Sequence, residues 1–69
     1  MQGQSLTPHE LEVLRLVSQG LTTRDIAKKL HRSFNTIAMH RRHILKKFGV
    51  STTPLALLIA REQQLIPDK

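Results

Sequence analysis

The sequence predicts an all-α domain of four helices, and three observations carry that expectation. Apolar residues recur at three- and four-residue spacing and nowhere alternate as a strand would require. Four segments open on a Ser or Thr placed to cap a helix, and Gly stands where two of them must stop. The chain is also short, at 69 residues, which allows one domain and a small core. A domain of that size buries only about 60% of the surface its unfolded chain exposes, so a multi-residue catalytic cleft is hard to accommodate, and no enzyme is expected. Residues 1–5 read as a linker remnant or flexible start, 6–66 as the domain and 67–69 as a tail.

The first helix is expected from Thr7-Pro8-His9-Glu10, which supplies a capping hydroxyl, Pro at the first helical position and Glu to reach back to the cap. Leu11, Leu14 and Val17 make its apolar stripe, with Val13 at the flank, and Gly20 takes the left-handed position after it. Thr22 or Thr23 caps the second helix, where Asp25 complements the dipole, and Ile26, Ala27 and Leu30 face the core. Ser33 caps the third, which runs to about Lys47 before Gly49. At about 100° per residue, Ile37, Ile44 and Phe48 share its inner stripe with His40 at the edge, while Asn35, Met39, Arg42 and Lys46 share the outer face. Ala38 and His43 flank that face. Arg41 falls near the apolar stripe and is expected to extend outward along its stem. Thr53-Pro54 repeats the cap-then-proline start, so a fourth helix is expected from Pro54 to about Gln64.

Charge gives the first functional reading. The net charge is +6 and the pI near 11, which suggests a polyanionic partner. Eight of the eleven Lys and Arg (Arg24, Lys28, Lys29, Arg32, Arg41, Arg42, Lys46 and Lys47) lie within residues 23–47, against the single acid Asp25. A short apolar helix, a tight turn and a longer basic helix make the helix-turn-helix pattern, in which the second helix enters the DNA major groove. Arg42 is the first choice for reading a base, because Arg donates bidentately to guanine O6 and N7. Met39 can pack on a thymine methyl, and Asn35 can bond adenine or phosphate. Lys46 and Lys47 suit phosphate neutralisation. Thr23, Arg24 and Ser33 stand at helix N-termini, where backbone N–H groups favour phosphate oxygens. Thr36, His40 and His43 complete the expected phosphate set, although capping and packing also account for several of these residues.

Other chemistries are poorly served. With no Cys, disulfides and thiolate zinc sites are excluded. His40 and His43 have a metal-ligating i, i+3 spacing, but no carboxylate or thiol lies near them in the helix, so no metal and no cofactor is expected. The apolar run from Leu55 to Ala60 is too short to span a bilayer, and a cytoplasmic protein is the default expectation. That run wraps more of a helix than a small domain can cover. A dimer contact through Pro54, Leu55 and Leu58 is therefore expected. A protein-interaction module that grips an activator or RNA polymerase through the fourth helix is the rival reading.

Several blocks together resemble the LuxR-type helix-turn-helix domain, also called the GerE domain, of NarL/FixJ-class response regulators: LTPHELEVL at 6–14, QGLTTRDIAKKL at 19–30, RSFNTIAMH at 32–40 and ILKKFGV at 44–50. The HRS turn is most similar to the branch containing the RcsB-type regulators. The resemblance implies sequence-specific binding to double-stranded DNA as a dimer, with the third helix in the major groove and the fourth at the dimer contact. It implies base contacts at Ala38, Met39 and Arg42, and a role as the output domain of a longer transcription regulator. The chain departs from the pattern at Ala38, where Lys is frequent, at Arg32, where an aliphatic is common, and at Gln64, where Gly often ends the last helix. A sigma-factor region 4 module shares the LTP opening, but Gly49-Val50 before a capped fourth helix argues against it.

Overall fold

The computed structural model describes residues 5–67, so most of the expected 1–5 start and 67–69 tail lies outside the described residues. Four helices follow one another: α1 (Pro8–Ser18), α2 (Thr23–Leu30), α3 (Phe34–Phe48) and α4 (Thr53–Glu62), and no strand occurs among the described residues. The first three begin as their caps dictate. Thr7 Oγ1 accepts from the Glu10 amide at 3.1 Å while the Thr7 amide donates to Glu10 Oε1 at 3.0 Å. Thr22, not Thr23, does the same with Asp25, at 3.1 and 3.2 Å. Ser33 Oγ accepts from the Thr36 amide at 3.0 Å. Each such cap satisfies an otherwise orphaned amide and contributes about 1 kcal/mol.

All four helices end the same way. At each stop one amide bonds three residues back and the next amide five residues back: Gly20 to Val17 and Leu21 to Leu16, His31 to Lys28 and Arg32 to Ala27, Gly49 to Lys46 and Val50 to Leu45, Gln64 to Arg61 and Leu65 to Ala60. This motif requires a left-handed residue at the stop. Gly20 and Gly49 supply it without strain, whereas His31 at φ 58° and Gln64 at φ 62° adopt it despite a Cβ. Gln64, a departure from the resembled pattern, thus keeps the left-handed conformation without the residue that makes it easy.

α3 is the central helix, packing against α1, α2 and α4. The core joins Val13, Leu14 and Leu16 of α1, Ile26 and Ala27 of α2, Ile37 and Ile44 of α3, Ala60 of α4, and Ile66 beyond it. Ile26, Ile37 and Val13 are the largest fully buried side chains. Val13, expected at the flank of the α1 stripe, is therefore at its centre, and Leu11 is only half-buried. The packed face of α1 is turned toward α3, which a stripe drawn on one helix in isolation does not show. On α4 the buried positions are Ala56 and Ala60, small enough for close approach, while Leu55 and Leu58 are left outside.

Two expectations about α4 are corrected. Thr52 occupies the cap position and makes no side-chain cap bond, Thr53 is already helical, and the helix ends at Glu62. The Thr53 hydroxyl is instead an acceptor for Arg41, whose Nη2 donates to it at 3.3 Å, while Nη1 donates to Thr23 Oγ1 at 2.9 Å. Arg41 therefore does not extend outward. Its guanidinium ties the starts of α2 and α4 to the middle of α3, which resolves its position beside the apolar stripe.

Candidate nucleic-acid interface

The helix-turn-helix unit consists of α2, the turn His31–Ser33 and α3. Its hinge is the left-handed His31, and the Ala27 carbonyl is closed by Arg32 at 2.9 Å, which fixes the angle at which α3 leaves α2. With Ile37 and Ile44 turned into the core, the 3.6-residue period drives Asn35, Met39, Arg42 and Lys46 to the opposite side, and all four are exposed. Met39 keeps 41% of its surface in solvent. Ala38 is half-buried on the flank and His43 is exposed on the other. The helix contains no acid. At about 1.5 Å per residue its 15 residues run about 22 Å, and an α-helix fits a major groove about 12 Å wide.

The expected phosphate residues divide by what they already touch. Arg24, Lys46 and His43 are exposed, and neither Arg24 nor Lys46 has an acidic partner among the described residues. Ser33 and Thr36 are engaged with each other, Ser33 Oγ donating to Thr36 Oγ1 at 2.8 Å, and the Thr23 hydroxyl is held by Arg41. His40 is half-buried and stacks on His9 of α1 with ring centroids 6.3 Å apart, and its Nδ1 has no hydrogen-bond partner among the described residues.

Lys47 requires a correction. Its ammonium donates to Glu10 Oε1 at 2.6 Å and to the Ser5 carbonyl at 3.2 Å, so the charge expected to be free is committed within the fold. Glu10 is only 4% exposed. Burial pushes its carboxyl up, but the Lys47 hydrogen bond, the Thr7 amide and the nearby charges of Lys47 and His43 outweigh burial and hold it below the usual carboxylate value. His43 Nδ1 lies 3.9 Å from Glu10 Oε2. Asp25, fully exposed, is also lowered, mainly by the Thr22 amide it caps. Local spacing along α3 groups Lys47 with Lys46; only the packing of α1 on α3 separates them.

Sequence reasoning also passed over Phe34. It is 55% exposed at the first position of α3, outside the core. A large apolar residue directly after a cap, off the Ile37–Ile44 stripe, was the available signal. The fourth helix presents Pro54, Leu55 and Leu58 to solvent, Leu58 at 52%.

A basic helix held by three others, with its outward side open and free of acids, is the arrangement of a helix-turn-helix DNA-binding domain. The chain belongs to the luxR family of bacterial regulatory proteins, whose GerE family model matches residues 4–60. It is 34% identical over 61 residues to the oxygen regulatory protein NreC of Staphylococcus aureus (strain JH9), covering 88% of this chain and 28% of that protein. A Mycobacterium bovis protein, Mb0914c, named a candidate HTH-type transcriptional regulator, is 48% identical over 48 residues, 70% of this chain and 5% of its own length. Among solved structures, the transcription factor GerE superposes with a TM-score of 0.84 at 30% identity, covering 91% of this chain and 96% of that one. The response regulator ChrA of a heme-sensing two-component system superposes with a TM-score of 0.87 at 39% identity, over 96% of this chain and 33% of ChrA. The chain thus spans about a twentieth of the mycobacterial relative and under a third of NreC. No described helix is long and apolar enough to cross a membrane.

Proposed function

We propose that the domain binds a specific double-stranded DNA sequence by seating α3 in the major groove. Asn35, Ala38, Met39 and Arg42 would then face base edges, and Arg24, Lys46 and His43 would neutralise phosphates together with the N-terminal amides around Thr23, Ser33 and Thr36. The observation that carries this reading is the exposed, acid-free outer face of α3. His40 supports it indirectly by fixing α3 on α1, and Lys47 contributes through Glu10 more than through DNA. Arg42 confers base preference, and the other cations add affinity through counterion release, about 0.9 per phosphate in the salt exponent.

Pairing through Pro54, Leu55 and Leu58 of α4 would place two copies of α3 one helical turn apart on a two-half-site operator. The domain acts, on this reading, as the output module of a longer cytoplasmic transcription regulator with no enzymatic activity of its own. Contact with RNA polymerase belongs to the same reading. The test separates the two kinds of contact. Arg42→Ala should relax preference at one base pair of a selected site, costing about 1–3 kcal/mol of discrimination. Lys46→Ala should weaken all duplexes alike and reduce the salt exponent by about one. Identical behaviour of the two variants, measured by fluorescence anisotropy across a salt series, would overturn the assignment.

A further inference from the structure

A second charged surface lies away from the helix-turn-helix. The C-terminal ends of α1 and α4 line an open groove of about 660 Å³. Arg15, Ser18 and Gln19 line it from α1, and Arg61, Gln64 and Leu65 from α4 and its stop; no residue of α2 or α3 contributes. Neither Arg15 nor Arg61 forms an ion pair among the described residues. Arg61 Nε is buried without a hydrogen-bond partner among them. Two helix ends also meet here. The Ser18 and Gln19 carbonyls accept no hydrogen bond among the described residues.

We propose that this groove binds an acidic peptide segment of a partner protein. Two unpaired guanidinium groups call for carboxylates, which Arg engages bidentately. The helix ends carry partial negative charge and free carbonyls, so they call for N–H donors. A peptide with acidic side chains brings both groups at once. A small carboxylate brings only the first and meets the negative helix ends with nothing to offer them. Leu65 gives the segment an apolar floor. Because α2 and α3 stay clear, the peptide and DNA can be held together, and the inference does not depend on the DNA reading.

The probe is an acetylated, amidated five-residue peptide of alternating aspartate and leucine. It is titrated into the isotope-labelled domain and followed by amide NMR, in enough salt to screen contacts beyond about 8 Å. The expected result is movement of the Ser18, Gln19, Gln64 and Leu65 amides, with α3 amides still. Arg15→Ala, an exposed change that leaves the core intact, should weaken binding about tenfold, the loss of one charge-assisted contact. Arg42→Ala removes the same charge from the reading face and should change it less than about twofold. Equal losses in the two variants would reduce the effect to net charge and overturn the proposal. So would shifts confined to α3, no shift at millimolar peptide, or succinate reproducing the peptide's shifts at equal concentration.

Discussion

The contact between Glu10 and Lys47 offers the sharpest test of how this domain is held together. The ammonium sits 2.6 Å from the carboxylate, with side-chain exposures of 18% and 5%. Glu10→Gln keeps an oxygen for the Thr7 amide and removes only the charge that Lys47 meets. A hydrogen bond to a charged group contributes about 1.5–3 kcal/mol net, and the residual exposure of Lys47 places this one at the low end. The expected loss is about 1.5 kcal/mol, or about 6–12 °C in Tm for a domain of this size. Glu10→Ala also removes the acceptor of the Thr7 amide, while the Thr7 hydroxyl still caps the residue-10 amide, and should cost about 1 kcal/mol more. Urea unfolding of Glu10→Gln, Lys47→Met and the double variant closes a cycle whose coupling should be about 1 kcal/mol or larger. A coupling near zero would show that the close approach contributes nothing to stability, and would return Lys47 to the free cations. The pH dependence follows from the same contact. A carboxyl held below its ordinary value of 4.5 contributes stability above that value. The contribution is lost as the pH falls through the folded-state value, because the unfolded chain takes up the proton first. Glu10→Gln should flatten that acid limb, leaving the part due to Asp25.

Three further outcomes are expected. Arg41→Met should lower stability by about 1–2 kcal/mol, since it removes charge-assisted bonds to Thr23 and Thr53 from a half-buried site; chemical denaturation measures it, and no change would mean the guanidinium is not the tie between α2, α3 and α4. His31→Gly relieves a left-handed residue at φ 58° and should raise stability by about 0.5 kcal/mol after the added chain entropy, read as an increase in the urea midpoint. Leu58→Lys should leave the monomer's fold intact but abolish two-copy occupancy of a two-half-site duplex in sedimentation; unchanged stoichiometry removes α4 as the pairing surface.

The order of the helices and the limits of the first three were legible in the chain because caps and stops are local chemistry, whereas α4, whose Thr52 makes no side-chain cap bond, begins and ends elsewhere than expected. Thr7 with Glu10, Thr22 with Asp25, and Ser33 all act within three residues, so residue type and spacing suffice. The outward face of α3 was legible for the same reason: once Ile37 and Ile44 turn inward, helical period alone sends Asn35, Met39 and Arg42 outward. Tertiary structure decided what lay between elements. Lys46 and Lys47 are neighbours in the chain, yet one faces solvent and the other a carboxylate thirty-seven positions earlier. Arg41 reaches hydroxyls eighteen and twelve positions away. The groove at the ends of α1 and α4 exists only because the two helices stop side by side. A periodicity says which way a side chain leaves its own helix; what it meets depends on how the helices pack, and that distance-dependent choice is where charge, burial and partner are settled.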